Sequence, residues 1–327
     1  MRFDTAILDL DGVVYIGPDA VPHAITALNA LAAEGTLLAA ATNNANRPSS
    51  EVARHLQQLG LAIQPDDVMT SAQAAAAFLA SELPAGGQVL AVGGVGVSEA
   101  LAAEGLVPLR ASADLAQSSQ VADACAAVMV GYGPLVAWFD LAAAHWAIAR
   151  GKRWVATNAD PTVPLPFGTA PGNGAMIGLL ERSTGRAPEV MGKPQPALFE
   201  ALLERVGGTR ALVIGDRLDT DIDGAIAASV ESLLVLTGVH GPQDLATRPL
   251  SSWPSFVAQD LRSLHEPVVA LRQEGSQVSA RSSHPTVQAV VAAANASLQH
   301  LPMDALAWEA GEASPLIDIR LLHHGTV

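Results

Sequence analysis

The chain of 327 residues contains a single cysteine, Cys125, so neither an intrachain disulfide nor a zinc site built on cysteines can form. Cys125 lies in the small apolar stretch Ala124-Cys125-Ala126-Ala127, which predicts a buried thiol and not a nucleophile. Basic residues are scarce as well: 18 Lys and Arg against 32 Asp and Glu leave a net charge of −14. They are scattered and form no stripe, which argues against nucleic acid as a partner. No uninterrupted apolar run reaches the roughly 18 residues of a membrane span. The amino terminus has no basic segment followed by an apolar one. A cytoplasmic protein without a membrane partner is therefore expected.

Half of the residues are hydrophobic, and the length suits two compact units with an appendage. The most informative stretch comes first. Thr5-Ala6-Ile7-Leu8 reads as a buried strand and runs directly into Asp9-Leu10-Asp11-Gly12. In open parallel sheets, ligands collect beyond the carboxyl ends of strands. Asp9 and Asp11 would share one side of the extended backbone there. Two carboxylates about 4 Å apart repel by about 4 kcal/mol at an effective dielectric near 20. Such a pair calls for a proton, a cation or both.

The pattern that follows is strand-helix-strand-helix, which demands a parallel sheet with right-handed crossovers. Pro22 is expected to open a helix carrying Ile25, Leu28 and Leu31, and Gly35 to stop it. Leu37 to Ala41 is the second core strand, ending in Thr42-Asn43-Asn44, with a helix to Gly60 after it. From about Ser71 the alternation restarts, with strands near Gln88 to Val92, Ala126 to Val130 and Trp154 to Thr157. This second α/β unit closes with the loop Thr157-Asn158-Ala159-Asp160-Pro161, then Gly172-Asn173-Gly174 and a helix to Gly185. The chemistry of the first seventy residues then resumes at Gly192-Lys193-Pro194. A further buried strand, Ala211 to Ile214, ends in Gly215-Asp216, and Asp221 follows shortly. The expected organisation is a core of residues 1–70 plus 186–266, an inserted domain of residues 71–185, and residues 267–327 as a linker and C-terminal extension of unknown role. Within that extension, Gln273 to Ser283 reads as linker, Thr286 to His300 as an amphipathic segment and Leu316 to Leu322 as a strand. The pair His323-His324 reads as an exposed tail end.

Three acids at strand ends (Asp9, Asp11, Asp216), the polar groups of Thr42 and Asn43, and the cation of Lys193 make a set suited to a phosphoryl group. A hard ion of magnesium size takes carboxylate and carbonyl oxygens, and with it in place the acid cluster becomes favourable. Asp9 is the expected nucleophile and Asp11 the acid and base that serves the leaving alkoxide and then the attacking water. Lys193, Thr42 and loop amides would hold the non-bridging oxygens.

Asp9-Leu10-Asp11-Gly12, Thr42-Asn43, Gly192-Lys193-Pro194 and Gly215-Asp216 with Asp221 resemble, in order, the four motifs of the haloacid dehalogenase superfamily of phosphatases. The resemblance covers about residues 4 to 262. The position of the insertion is similar to the branch of nitrophenyl phosphatases, phosphoglycolate phosphatases and glycerol-3-phosphate phosphatases, in which the inserted domain is a cap. It implies a three-layer, Rossmann-like parallel-sheet core with an α/β cap. It also implies magnesium on Asp9, Asp216 and the Asp11 carbonyl, Asp221 as a supporting carboxylate, and phosphate contacts from Gly12, Thr42, Asn43 and Lys193. The alanine-rich composition and the tail look most like the actinobacterial glycerol-3-phosphate phosphatases. Expected substrates are therefore small phosphorylated metabolites, glycerol 3-phosphate first, with phosphoglycolate, a nucleotide or nitrophenyl phosphate as alternatives, and the family suggests a homodimer. Asn158 and Asp160 either select the leaving group or form an Asx turn. Two readings of other classes remain: a dinucleotide site at Val92-Gly93-Gly94-Val95-Gly96, whose spacing lacks the third glycine, and a non-catalytic phosphate-binding or receiver-like regulatory protein, which would leave the inserted domain and Asp216 without a role.

Overall fold

A computed structural model describes residues 3–165, 167–274, 276–299 and 315–320. Its contacts divide the chain into two compact units, one formed by the described residues of Met1–Ala40, Leu56–Ile63 and Val206–Val327, the other by those of Ala41–His55 and Gln64–Arg205.

In the first unit the central strands are Glu231–Val235, Ala211–Gly215, Thr5–Leu8 and the start of Leu37–Thr42, all parallel and in that order. Thr5–Leu8 is buried along its whole length, as a strand covered on both faces requires, and this is why its residues form one apolar run. Register does the positioning. Leu8 pairs with Ile214 on one side and with Ala40 on the other, so Asp9 and Gly215-Asp216 leave the sheet from neighbouring strands at the same edge. The first helix begins at Ala24, not at Pro22, because His23 takes a left-handed conformation (φ 67°) that cannot belong to it.

Phe256–Ala258 extends the sheet in parallel, and Leu316–Asp318 is then inserted antiparallel to it and parallel to Val268–Ala270. The segment read as linker holds a hairpin, Arg272–Glu274 with Gln277–Ser279. The helix Pro285–Gln299 follows, close to its expected span. Its Val287, Val290, Ala293 and Ala294 share one buried cluster with Leu218, Ile222, Leu234, Trp253 and Val257. The described residues of the C-terminal segment are thus built into the core of this unit. Leu321, Leu322, His300 and the His323-His324 pair lie outside the described residues.

Asp4 pins the entrance of the sheet. Its carboxylate accepts from the Thr209 hydroxyl at 2.6 Å and from the Arg210 N–H at 3.0 Å. The Thr209 hydroxyl bond first, and then the Arg210 N–H, hold its pKa at about 2 instead of the ordinary 3.8. A depressed carboxylate pKa stabilises the fold above the unfolded value and loses that contribution as pH falls through the folded one. The Asp4→Asn variant should therefore be less stable than the parent near neutrality, with the gap closing between about pH 4 and pH 2. Urea unfolding across that window checks this; a gap that does not vary with pH would refute it.

The second unit carries a parallel five-stranded sheet in the order Glu189–Val190, Arg153–Ala156, Ala127–Val130, Gln88–Val92, Val107–Leu109. Leu90, Val128, Val130 and Trp154 form its core with Ala143, Ala147 and Ile148 of the helix Trp138–Ala149. Cys125 is fully buried in the same cluster, and burial pushes its thiol pKa up. The strand Val107–Leu109 and the helix Leu115–Ala124, which Asp114 caps, add to the elements read from sequence. A hairpin, Thr162–Leu165 with Gly168–Pro171, projects after the 157–161 loop. The Gly-rich turn at 93–96 is a packing device: the Gly96 N–H donates to the Asn46 carbonyl at 3.0 Å, and a Cβ on Gly96 would meet the Ala45 carbonyl oxygen at 2.6 Å. No helix among the described residues is long and apolar enough to cross a membrane.

Candidate active site

In the first unit, Asp9, Asp216 and Asp221 each offer a carboxylate oxygen, and the three atoms lie within 4.8 Å of one another. Asp216 and Asp221 are buried and Asp9 is half-buried. Backbone geometry gathers them. The Asp9 N–H donates to the Ile214 carbonyl at 2.8 Å, continuing the strand register by one residue. Asp216 is fixed by the Val239 N–H, which donates to its Oδ2 at 2.7 Å, while its own carbonyl accepts from the His240 N–H at 3.1 Å. Asp221 comes from the π-helical turn Leu218–Ile222, and its Oδ2 accepts from the Arg217 N–H at 3.1 Å.

Three glycines make room for these acids. Gly215 and Gly238 have no space for a side chain, because a Cβ on either would run into Asp221 or Asp216 respectively. Gly12 has φ +84°, and its Cβ would stand 2.6 Å from Asp216 Oδ2. The loop that carries Asp11 winds around the Leu10 carbonyl, which accepts from Val14 and Tyr15, and is tied down where the Thr237 hydroxyl donates to the Gly12 carbonyl at 2.6 Å. Asp11 itself is exposed, and its side chain is not part of the three-acid cluster. Gly12→Ala should cost about 1–3 kcal/mol of strain and displace Asp216, lowering turnover. Gly17→Ala, at φ +62° in open space, should carry only the backbone penalty. Unfolding midpoints and turnover of the two variants separate these effects; equal activity in both would contradict the packing argument.

In the second unit, Asn43 is the hub. Its Oδ1 accepts from the Lys193 N–H at 2.8 Å, and its Nδ2 donates to the Lys193 carbonyl at 3.1 Å and to both Asp160 carboxylate oxygens at 3.1 and 3.2 Å. The Asn43 carbonyl in turn accepts from Ser71 Oγ and Asn158 Nδ2, each at 2.7 Å. Lys193 is buried, and its ammonium donates to the Ala41 carbonyl at 3.1 Å. The Thr42 hydroxyl accepts from the Asn44 N–H at 3.1 Å, which leaves its proton to donate. Asn158 is buried and acts within the loop: besides its bond to the Asn43 carbonyl, its Oδ1 accepts from the Asp160 N–H at 3.1 Å, an Asx turn. Asp160 lines a pocket of about 280 Å³ together with Asn43, Tyr132, Val163, Leu165 and Asn173.

The structure therefore brings Asp9, Asp216 and Asp221 together in one unit, and Asn43, Asn158, Asp160 and Lys193 together in the other. Asn43 was expected to contact phosphate; its side-chain amide bonds Lys193 and Asp160, so a phosphate contact from this residue would come from its backbone N–H. Thr237, His240 and the pocket wall Val163–Leu165 were not singled out by sequence. The Gly172-Asn173-Gly174 turn, noted in the sequence without a role, also lines the pocket, and Asn173 there donates to the Asn158 carbonyl at 2.7 Å.

Residues 6–107 match the family model of haloacid dehalogenase-like hydrolases, and residues 190–264 match a second model of hydrolases of the same kind. A D-glycerol 3-phosphate phosphatase of Mycobacterium tuberculosis is 42% identical over 263 residues, which cover 80% of this chain and 71% of that protein. Among solved structures, glycerol phosphate phosphatase Rv1692 from M. tuberculosis in complex with magnesium superimposes with a TM-score of 0.78 at 36% identity, covering 92% of each chain. The p-nitrophenyl phosphatase from Archaeoglobus fulgidus does so with 0.72 at 28% identity, covering 81% of this chain and 98% of that one. The chain belongs to the haloacid dehalogenase-like hydrolases. Within that family it is an enzyme of the phosphatase kind.

Proposed function

We propose that the protein hydrolyses small phosphate monoesters in the presence of magnesium, through an aspartyl phosphate on Asp9, and that glycerol 3-phosphate is its substrate. The observation that carries this reading is the convergence of Asp9, Asp216 and Asp221 within 4.8 Å. Three carboxylates are the hard oxygen donors that a magnesium-sized ion prefers, and such a cluster is unfavourable without a cation. The Asp11 carbonyl is the fourth proposed donor. When bound, the ion neutralises charge that builds up on the phosphoryl oxygens.

Asp9 attacks phosphorus: a bond forms from its carboxylate oxygen and the bond from phosphorus to the ester oxygen breaks. Asp11, exposed to solvent, donates the proton that turns the departing alkoxide into an alcohol. It then takes a proton from water, whose oxygen attacks phosphorus and breaks the acyl phosphate, returning Asp9 and releasing phosphate. Lys193, the Thr42 hydroxyl and the Gly12 loop are the proposed holders of the non-bridging oxygens. Asn43 fixes the Lys193 backbone, and Asp160 is the proposed partner of a substrate hydroxyl. The glycerol 3-phosphate assignment is supported by the 42% identical M. tuberculosis phosphatase.

The test is phosphate release from a panel of glycerol 3-phosphate, phosphoglycolate, a nucleoside monophosphate and p-nitrophenyl phosphate. The highest kcat/KM is expected for glycerol 3-phosphate. A higher value for another ester replaces the substrate, and release from none of them defeats the reading.

A further inference from the structure

We propose that Arg248 is a positioning residue for the turn that presents Asp216 and Asp221, and that it couples this turn to the C-terminal helix Pro285–Gln299. The inference rests on the reading of Asp9, Asp216 and Asp221 as cation ligands.

Leu218–Ile222 is a single π-helical turn that follows Asp216 and carries Asp221, a rare geometry that recurs at functional sites. Leu218 receives support on both backbone groups. Its N–H donates to His240 Nδ1 at 3.0 Å, and its carbonyl accepts from Arg248 Nη1 at 3.1 Å. The other arm of the same guanidinium, Nη2, donates to Asp223 Oδ2 at 2.6 Å. One planar fork therefore grips residue 218 before Asp221 and residue 223 after it, which the point charge of a lysine cannot do at both places. Arg248 is held in turn: its carbonyl accepts from Ser297 Oγ of the C-terminal helix at 2.6 Å and from Trp253 Nε1 at 3.2 Å. The side chains of Leu218 and Ile222 belong to the same buried cluster as Val287, Val290 and Ala294 of that helix. Helix, Arg248 and acidic turn thus form one continuous support. The competing explanation is an ordinary surface ion pair, since the Arg248 and Asp223 side chains are 23% and 32% exposed, and such pairs add little. An ion pair of that sort leaves the Leu218 carbonyl and the metal ligands indifferent to it.

Groups that orient metal ligands from behind typically change metal affinity by about 10–100-fold when removed. Titration calorimetry of the full chain with magnesium chloride alone should show the dissociation constant of Arg248→Gln raised by about tenfold or more, with Arg248→Lys between it and the parent. At saturating magnesium, kcat should return toward the parent value, so the defect appears in the magnesium dependence. A folded Arg248→Gln protein with a lower unfolding midpoint but the parent's magnesium affinity would overturn the proposal. Should Arg248→Gln fail to fold, Ser297→Ala, which removes one neutral bond to the Arg248 carbonyl, carries the same test: weakened magnesium binding supports the coupling and unchanged binding overturns it. A parent protein that takes up no magnesium defeats the metal reading itself, whereas a parent that binds and variants that bind equally defeat only the role of Arg248.

Discussion

Asp9→Asn is expected to abolish turnover while leaving a folded protein. The carboxamide keeps the shape of the side chain but cannot attack phosphorus, and the loss of a nucleophile costs other covalent enzymes roughly 10⁵-fold or more. Stability should move in the opposite direction. Asp9 stands within 4.8 Å of Asp216 and Asp221, and like charges about 4 Å apart repel by about 4 kcal/mol at an effective dielectric near 20. Without metal, the Asn variant should therefore melt at or above the parent's midpoint. Magnesium should stabilise the parent more than the variant, since binding to the folded state alone raises stability. A folded Asp9→Asn enzyme with normal turnover would remove Asp9 from the mechanism.

The second large effect is expected at Lys193. Its ammonium is buried and bonded to the Ala41 carbonyl, and both of its backbone groups are held by Asn43. A lysine fixed so completely is pre-organised to meet charge that develops on phosphorus-bound oxygens. Lys193→Ala should lower kcat/KM by about 10²–10⁴-fold, the scale of losing one pre-organised electrostatic contact together with ground-state binding. It should also weaken inhibition by inorganic phosphate. Lys193→Arg should not restore activity, because a planar guanidinium at this buried position reproduces neither the size nor the direction of the ammonium. A variant that is less stable but has unchanged kinetics per folded molecule would make Lys193 a structural residue.

The central strands were legible because residues buried on both faces leave an unbroken apolar run, as in Thr5–Leu8 and Ala211–Gly215. The acids were legible for the same reason, since a carboxylate placed directly after such a run must leave the sheet at its carboxyl end. The side-chain bonds of Asn43 were not. They join it to Lys193, 150 positions away, a pairing that the residue types at 43 and 193 do not encode. The C-terminal hairpin left no pattern to read because the buried hydrophobic of its described residues, Val278, stands alone between Gln277 and Ser279. Val278 joins a core through distant partners, among them Val287 and Val290 of the helix Pro285–Gln299. Arg248 falls in the same class: its value lies in the carbonyl it reaches at Leu218, and backbone carbonyls leave no mark in a sequence.

The proposed hydrolysis of phosphate esters depends on a cation held by Asp9, Asp216 and Asp221. Phosphate release from glycerol 3-phosphate, measured on the full chain with magnesium, after chelation, and again after magnesium is restored, tests it most directly. Release that stops with chelator and returns with magnesium is the predicted result. Release that continues undiminished in chelator would contradict the account.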